Sequence, residues 1–125
     1  MRLRHPLTYL GLGLLLWLAA CSPQDPNEKF IQGAWMTAGD IDEGHSWYLE
    51  WTFKSGKFEV TGYPPLHQSG SYRVTASEEN KLSLELYDQQ GDWPTEPRSL
   101  DIIINPTDKT LTIDGQGPFT FSQSD

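Results

Sequence analysis

From Phe30 onward, apolar and polar residues alternate with a period of two, the pattern of strands that bury one face. Trp47, Leu49, Trp51 and Phe53 fall in one phase, and Tyr48, Glu50, Thr52 and Lys54 in the other. The same alternation carries Phe58 and Val60, Tyr72 and Val74, and Leu82, Leu84 and Leu86. It continues through Leu100, Ile102 and Ile104, then Leu111 and Ile113, then Phe119 and Phe121. With Phe30–Met36 as the first, this predicts eight strands. No sustained helical period accompanies them, so the domain reads as all-β.

The connections set the topology. Ser55-Gly56, Ser77–Asn80, Pro106–Lys109 and Gly115-Gln116 are too short for a crossover, so neighbouring strands must pair antiparallel. An eight-stranded antiparallel meander closes into an up-and-down barrel, which removes exposed edges; a two-sheet sandwich is the alternative. Alternation of direction then gathers three long loops, Thr37–His45, Pro64–Ser69 and Gln89–Pro97, at one mouth. Both ends of the barrel chain fall at the opposite, closed end.

Before Phe30 the pattern changes. Arg2 and Arg4 precede an apolar run, Leu7–Leu18, and Leu18-Ala19-Ala20-Cys21 follows, containing the single cysteine. This resembles the signal peptide and lipobox of a bacterial lipoprotein. The apolar run is short for a membrane span, which takes about 20 residues. The resemblance implies a signal peptide over 1–20, an acylated (palmitate-bearing) Cys21 with a polar tether over 21–29, and a folded domain over 30–125. Ser22, rather than an Asp, after the cysteine implies the outer membrane, facing the periplasm.

Beyond Ala20 the chain keeps seven Lys/Arg against seventeen Asp/Glu, a formal charge of −10. That balance argues against nucleic acid, whose phosphates require cationic contacts. It suits a basic protein partner, or solubility alone. With its one cysteine acylated, the domain has no disulfide and must rely on packing.

Gly33-Ala34-Trp35, followed by Trp51-Thr-Phe-Lys-Ser-Gly-Lys-Phe58, Gly70-Ser-Tyr72, Lys81-Leu-Ser-Leu-Glu-Leu86 and Lys109-Thr-Leu-Thr-Ile113, resembles the lipocalin-like domains of bacterial lipoproteins. The resemblance implies a barrel that carries a small hydrophobic molecule. In that family an arginine near the C-terminus usually covers the tryptophan of the first strand, and Phe119–Asp125 contains none.

An eight-stranded barrel is just wide enough to be filled by side chains or to hold one small ligand. A ligand would meet Trp47, Trp51, Tyr72 and Trp93, with the Tyr72 hydroxyl as the polar group in phase. The loops suggest another use. Asp40, Asp42, Glu43 and His45 crowd the first; Tyr63, Leu66 and His67 fall around the third connection; Trp93 sits between Asp92 and Pro94 on the fifth. An apolar centre with an acidic surround describes a protein-binding patch. The acidic cluster lacks the spacing of a calcium loop, and we assign no metal or cofactor. Nucleophile elbow, phosphate-binding glycine loop and metal-hydrolase histidine spacing are all missing, so the chain does not read as an enzyme. Two readings remain: a hydrophobic-ligand binder, on the family resemblance, and a protein-binding or inhibitor module, on the loops. A structural role in the envelope would leave both surfaces unused.

Overall fold

The computed structural model describes residues 25–122. A short helix, α1 (Pro26–Ile31), precedes eight strands: β1 (Gly33–Asp42), β2 (His45–Lys54), β3 (Lys57–Tyr63), β4 (Leu66–Glu78), β5 (Lys81–Gly91), β6 (Arg98–Asn105), β7 (Thr110–Ile113) and β8 (Gln116–Ser122). Each strand pairs antiparallel with the next, and β8 returns to pair with β1. The protein is a closed up-and-down barrel, and the two-sheet sandwich is excluded. Cys21 and the segment before it lie outside the described residues.

Inward phases meet in the lumen. Leu82, Leu84 and Leu86 of β5 face Leu100, Ile102 and Ile104 of β6, all buried. Trp51 stacks on Phe53 at 5.7 Å and on Phe58 at 5.8 Å, and Val60, Leu111, Ile113 and Phe119 complete the filling. The lumen is occupied by the chain's own side chains, as eight strands allow.

Four expectations need correction. Phe30 and Ile31 belong to α1, so the first strand starts at Gly33 rather than Phe30. The supposed loop Thr37–His45 is mostly strand: β1 and β2 stay paired to Asp42↔His45, with only Glu43-Gly44 between them. Pro64–Ser69 shrinks likewise to Pro64-Pro65, because Leu66 already pairs with Gly62. Gln89–Gly91 belong to β5, and among the described residues the one long connection is Asp92–Pro97. Thr37–Asp42 rises above the core, where half-buried and exposed positions leave no apolar alternation to betray a strand. In Leu66–Ser69 and Gln89–Gly91 the buried position is instead a glutamine, Gln68 or Gln89.

Helix α1 also takes up Pro26–Lys29, expected in the tether, and seals the closed end. Asp25 caps it by accepting from the Glu28 N–H at 3.1 Å, and Pro26 occupies the first turn, where its missing N–H costs nothing. Ile31 is fully buried beneath the barrel, and its carbonyl accepts from Trp35 Nε1 at 2.8 Å. Phe30 stacks on Trp35 at 5.6 Å while Phe121 meets the same indole edge-on at 5.2 Å. Polar clamps tie the helix to the turns. Asn27 Nδ2 donates to Ser77 Oγ at 3.0 Å, and the Ser55 N–H donates to Gln32 Oε1 at 2.7 Å. Buried Tyr72 donates its hydroxyl to Glu28 Oε2 at 3.1 Å and accepts from Gln32 Nε2 at 2.9 Å.

Deleting most of the Ile31 side chain (Ile31→Ala) removes packing at the base of the core and should cost about 3 kcal/mol in a denaturant titration. Tyr72 supplies a pH signature. Burial, the largest influence, raises its pKa above the usual value near 10. The fold thus favours the neutral phenol. That contribution is complete below pH ~10 and is lost as pH climbs from there through the raised pKa. Tyr72→Phe should cost about 1 kcal/mol at neutral pH and flatten the alkaline loss of stability, measured as denaturation midpoint against pH.

Candidate functional site

The mouth is organised by two glutamines. Gln68 of β4 is fully buried, and its Oε1 accepts from the Trp93 backbone N–H at 3.0 Å. Its Nε2 donates to Gln89 Oε1 at 3.3 Å and to the Pro94 carbonyl at 3.4 Å. Gln89 Nε2 donates in turn to the Glu96 carbonyl at 2.6 Å. The Asp92 N–H donates to the His67 carbonyl at 3.0 Å, and Asp92 Oδ2 accepts from the His67 N–H at 2.8 Å. Backbone polar groups of the Asp92–Pro97 loop thus find fixed partners in the barrel wall. Gly91 permits the approach: its φ is +136°, and a Cβ there would overlap the His67 carbonyl oxygen and Gln68 Oε1.

This network turns Trp93 over the lumen. Its ring lies 5.8 Å from that of Trp51, and the Arg98 guanidinium sits 5.8 Å from its centroid. Arg98 Nη1 also bridges to Asp114 Oδ2 at 3.1 Å. Trp93 therefore caps the barrel rather than standing free. Between Leu49, Trp51, Trp93, Arg98 and Ile113 there remains a cleft of about 240 Å³.

A larger groove lies at the rim. It measures about 750 Å³ and runs between Thr37, Ala38 and Ile41 of β1, Trp47 and Leu49 of β2, the Tyr63–Leu66 turn, and Gly115–Gly117. Exposed apolar side chains concentrate here: Ile41 is 55% and Tyr63 56% exposed, with Trp47 and Tyr48 beside them. Such clustering marks interaction surfaces on soluble domains. The Trp47 indole lies across Gly39, where a Cβ would come within 2.6 Å of its Nε1.

The four aromatics named from the sequence separate. Trp51 and Trp93 meet, Trp47 sits on the rim wall, and the Tyr72 hydroxyl is committed to Glu28 and Gln32 at the other end. The residues expected from the sequence to meet a partner share the mouth, but few are in loops. Asp40 and Asp42 are in β1, His45 in β2, Tyr63 in β3, and Leu66 and His67 in β4; Glu43 is in a turn and Trp93 in the loop. His45 Nδ1 is 2.6 Å from Asp42 Oδ1, and His67 Nε2 is 2.9 Å from Glu59 Oε2. Among the described residues, no three His, Cys, Asp or Glu side chains gather as a metal set.

Gln68 and Gln89 escaped the sequence reading. Gln68 shares the inward phase of Leu66, and that polar entry was the available signal. Gln89 is turned inward by Asp88, whose φ of +51° accompanies a bulge opposite Gly70 that shifts the phase by one residue. No protein-family model matches this chain, and neither a curated protein nor a solved structure does.

Gln68→Ala strips the acceptor from the Trp93 N–H and should cost about 2 kcal/mol. Hydrogen exchange at the Trp93 amide should quicken far more than at Leu82–Leu86, which lie in the central ladder.

Proposed function

We propose that this chain is a lipid-anchored protein of the bacterial envelope whose barrel mouth binds a basic protein partner without enzymatic activity. The observation that carries the reading is the location of the apolar surface. The lumen is filled, while Ile41, Trp47, Tyr48 and Tyr63 stand exposed around a rim groove. Charge supports the partner's sign. Asp40, Asp42 and Glu43 crowd the hairpin tip, and Asp92 and Glu96 the loop, whereas Arg98 is paired with Asp114. An apolar centre within a charged rim fits a protein interface, with the rim steering encounter.

Anchoring enters the proposal through Cys21, acylated in the outer membrane and facing the periplasm. Asp25 and α1 lie at the closed end, so the mouth would point away from the lipid. The barrel's strand order and the placement of Trp35 at its base support a lipocalin-like relationship. Phe30 and Phe121 cover the Trp35 indole, with Lys109 Nζ 5.5 Å from the Phe121 ring, in the covering role for which the resemblance implies an arginine.

A second reading rests on the groove's size. At about 750 Å³ it falls in the range of small-molecule sites, so a small hydrophobic ligand could lie at the rim instead of in the lumen.

The test uses full-length protein solubilised in detergent from its own envelope, beside an Ile41→Asn, Tyr63→Asn variant. Both side chains are exposed, so folding should be spared. The wild type should retain a basic protein that the variant binds about tenfold more weakly, and high salt should weaken the retention. Equal capture by the two proteins would overturn the reading. A stoichiometric small-molecule adduct in native mass spectrometry would transfer it to the ligand alternative.

A further inference from the structure

We propose that the free edge of β1 over Thr37–Asp42 is a strand-addition site for an extended, lysine- or arginine-bearing segment of the partner; this rests on the mouth-binding reading and specifies its mode.

β1 is paired with β2 along its whole length, from Gly33↔Phe53 to Asp42↔His45. On its other side, among the described residues, the ladder with β8 covers Ala34↔Ser122, Trp35↔Phe121 and Met36↔Thr120 and goes no further. Continuing that register would bring Ala38 opposite Pro118, which has no N–H to give. The seam stops there for a chemical reason.

The Met36 carbonyl faces the seam, accepting from Thr120 Oγ1 at 3.4 Å. Alternation along a strand turns the peptide groups of Ala38 and Asp40 the same way, past the end of the β1–β8 ladder. The rim groove lies along this stretch, with Thr37, Ala38 and Ile41 on one side and Gly115–Gly117 on the other. An extended segment laid there would gain main-chain hydrogen bonds from β1 and apolar contact from the groove.

The occupant's charge follows from the edge itself. Ala38, Asp40 and Asp42 are exposed, and Glu43 sits at the tip. Two copies joined through this edge would set carboxylates against carboxylates, which opposes pairing. A cationic strand meets complementary charge along the same line.

The probe is the peptide Lys-Val-Lys-Val-Lys-Val-Lys, its counterpart N-methylated at alternate amides, and its Glu-for-Lys analogue, each added to the full-length protein in detergent. The unmodified peptide, at about ten times its Kd, should slow hydrogen exchange at Ala38 and Asp40 about tenfold. Thr37 and Gly39, which face β2, should change little. The N-methylated peptide should bind at least about tenfold more weakly. An Asp40→Lys, Asp42→Lys variant should exchange preference toward the Glu peptide. Equal binding of the N-methylated form, or protection confined to other amides, overturns strand addition while leaving the mouth reading intact. Failure of both cationic peptides to bind overturns it too, and capture of the envelope partner then judges the mouth reading separately.

Discussion

Closure of the barrel rests on the short seam where Ala34–Met36 of β1 meets Thr120–Ser122 of β8. Three residue pairs hold together two strands that would otherwise be edges, so the seam needs support from below. Trp35 and Phe121 are partners across it, and Phe30 of α1 stacks on the same indole. The helix therefore braces the one joint that strand pairing leaves thin. Because Pro118 ends the seam early, β1 continues upward beyond Met36 with no further ladder to β8, and among the described residues that side of it faces the rim groove. The base plug and the bare rim edge are two consequences of one short closure.

The same economy governs the interior. Eight strands enclose a lumen that large apolar side chains fill, and the volume left for binding moves to the rim. What polarity the upper core contains is spent on the protein's own backbone. Gln68 and Gln89 hold the Asp92–Pro97 loop, and the loop holds Trp93 over Trp51. An unsatisfied amide at that depth would cost about 1–3 kcal/mol, so the loop and the cap stand or fall together. The rim groove is spared this coupling on its β1 side. A partner could bind there without opening the core.

Much of the architecture was legible in the sequence because strands with one wet face announce themselves. Leu82-Leu84-Leu86 and Leu100-Ile102-Ile104 gave strand, phase and core at once, and short turns then forced the meander. The errors have separate causes. Above the core, Thr37–Asp42 meets solvent on both sides, and nothing in its polarity separates it from a loop. Bulges hide the rest: Asp88 moves Gln89 into the lumen, which strict alternation would place outside. The helix was different, for its signal was present. Asp25-Pro26-Asn27-Glu28 carries an N-cap, a first-turn proline and an acidic third position, yet its proline and polarity also describe a tether. Only the burial of Ile31 decides between them. At the candidate site, the sequence brought the acidic and aromatic residues to one end through strand parity. Which of them cap the core and which stay exposed depended on the glutamine network.

Charge is distributed along the barrel axis in a way that bears on both surfaces. Lys29, Lys54, Lys57, Lys81 and Lys109 all belong to α1 or flank the turns of the closed end, where Asp25, Glu28, Glu78, Glu79 and Asp108 offset them. At the mouth, Asp40, Asp42, Glu43, Asp92 and Glu96 face one arginine, itself paired with Asp114. Under the proposed anchoring, a base near neutrality would lie beside lipid headgroups without strong repulsion, while the acidic rim, away from them, would keep its field for whatever arrives from solution. The rim charge also protects the protein from itself. A six-residue strand edge beside exposed Ile41 and Tyr63 invites pairing between copies. Carboxylates on that edge discourage the symmetric encounter, and the bulge between Asp40 and Asp42 adds twist where the edge is barest. Protection against self-association and the proposed preference for a cationic strand thus rest on the same physical property, seen from two approaching surfaces.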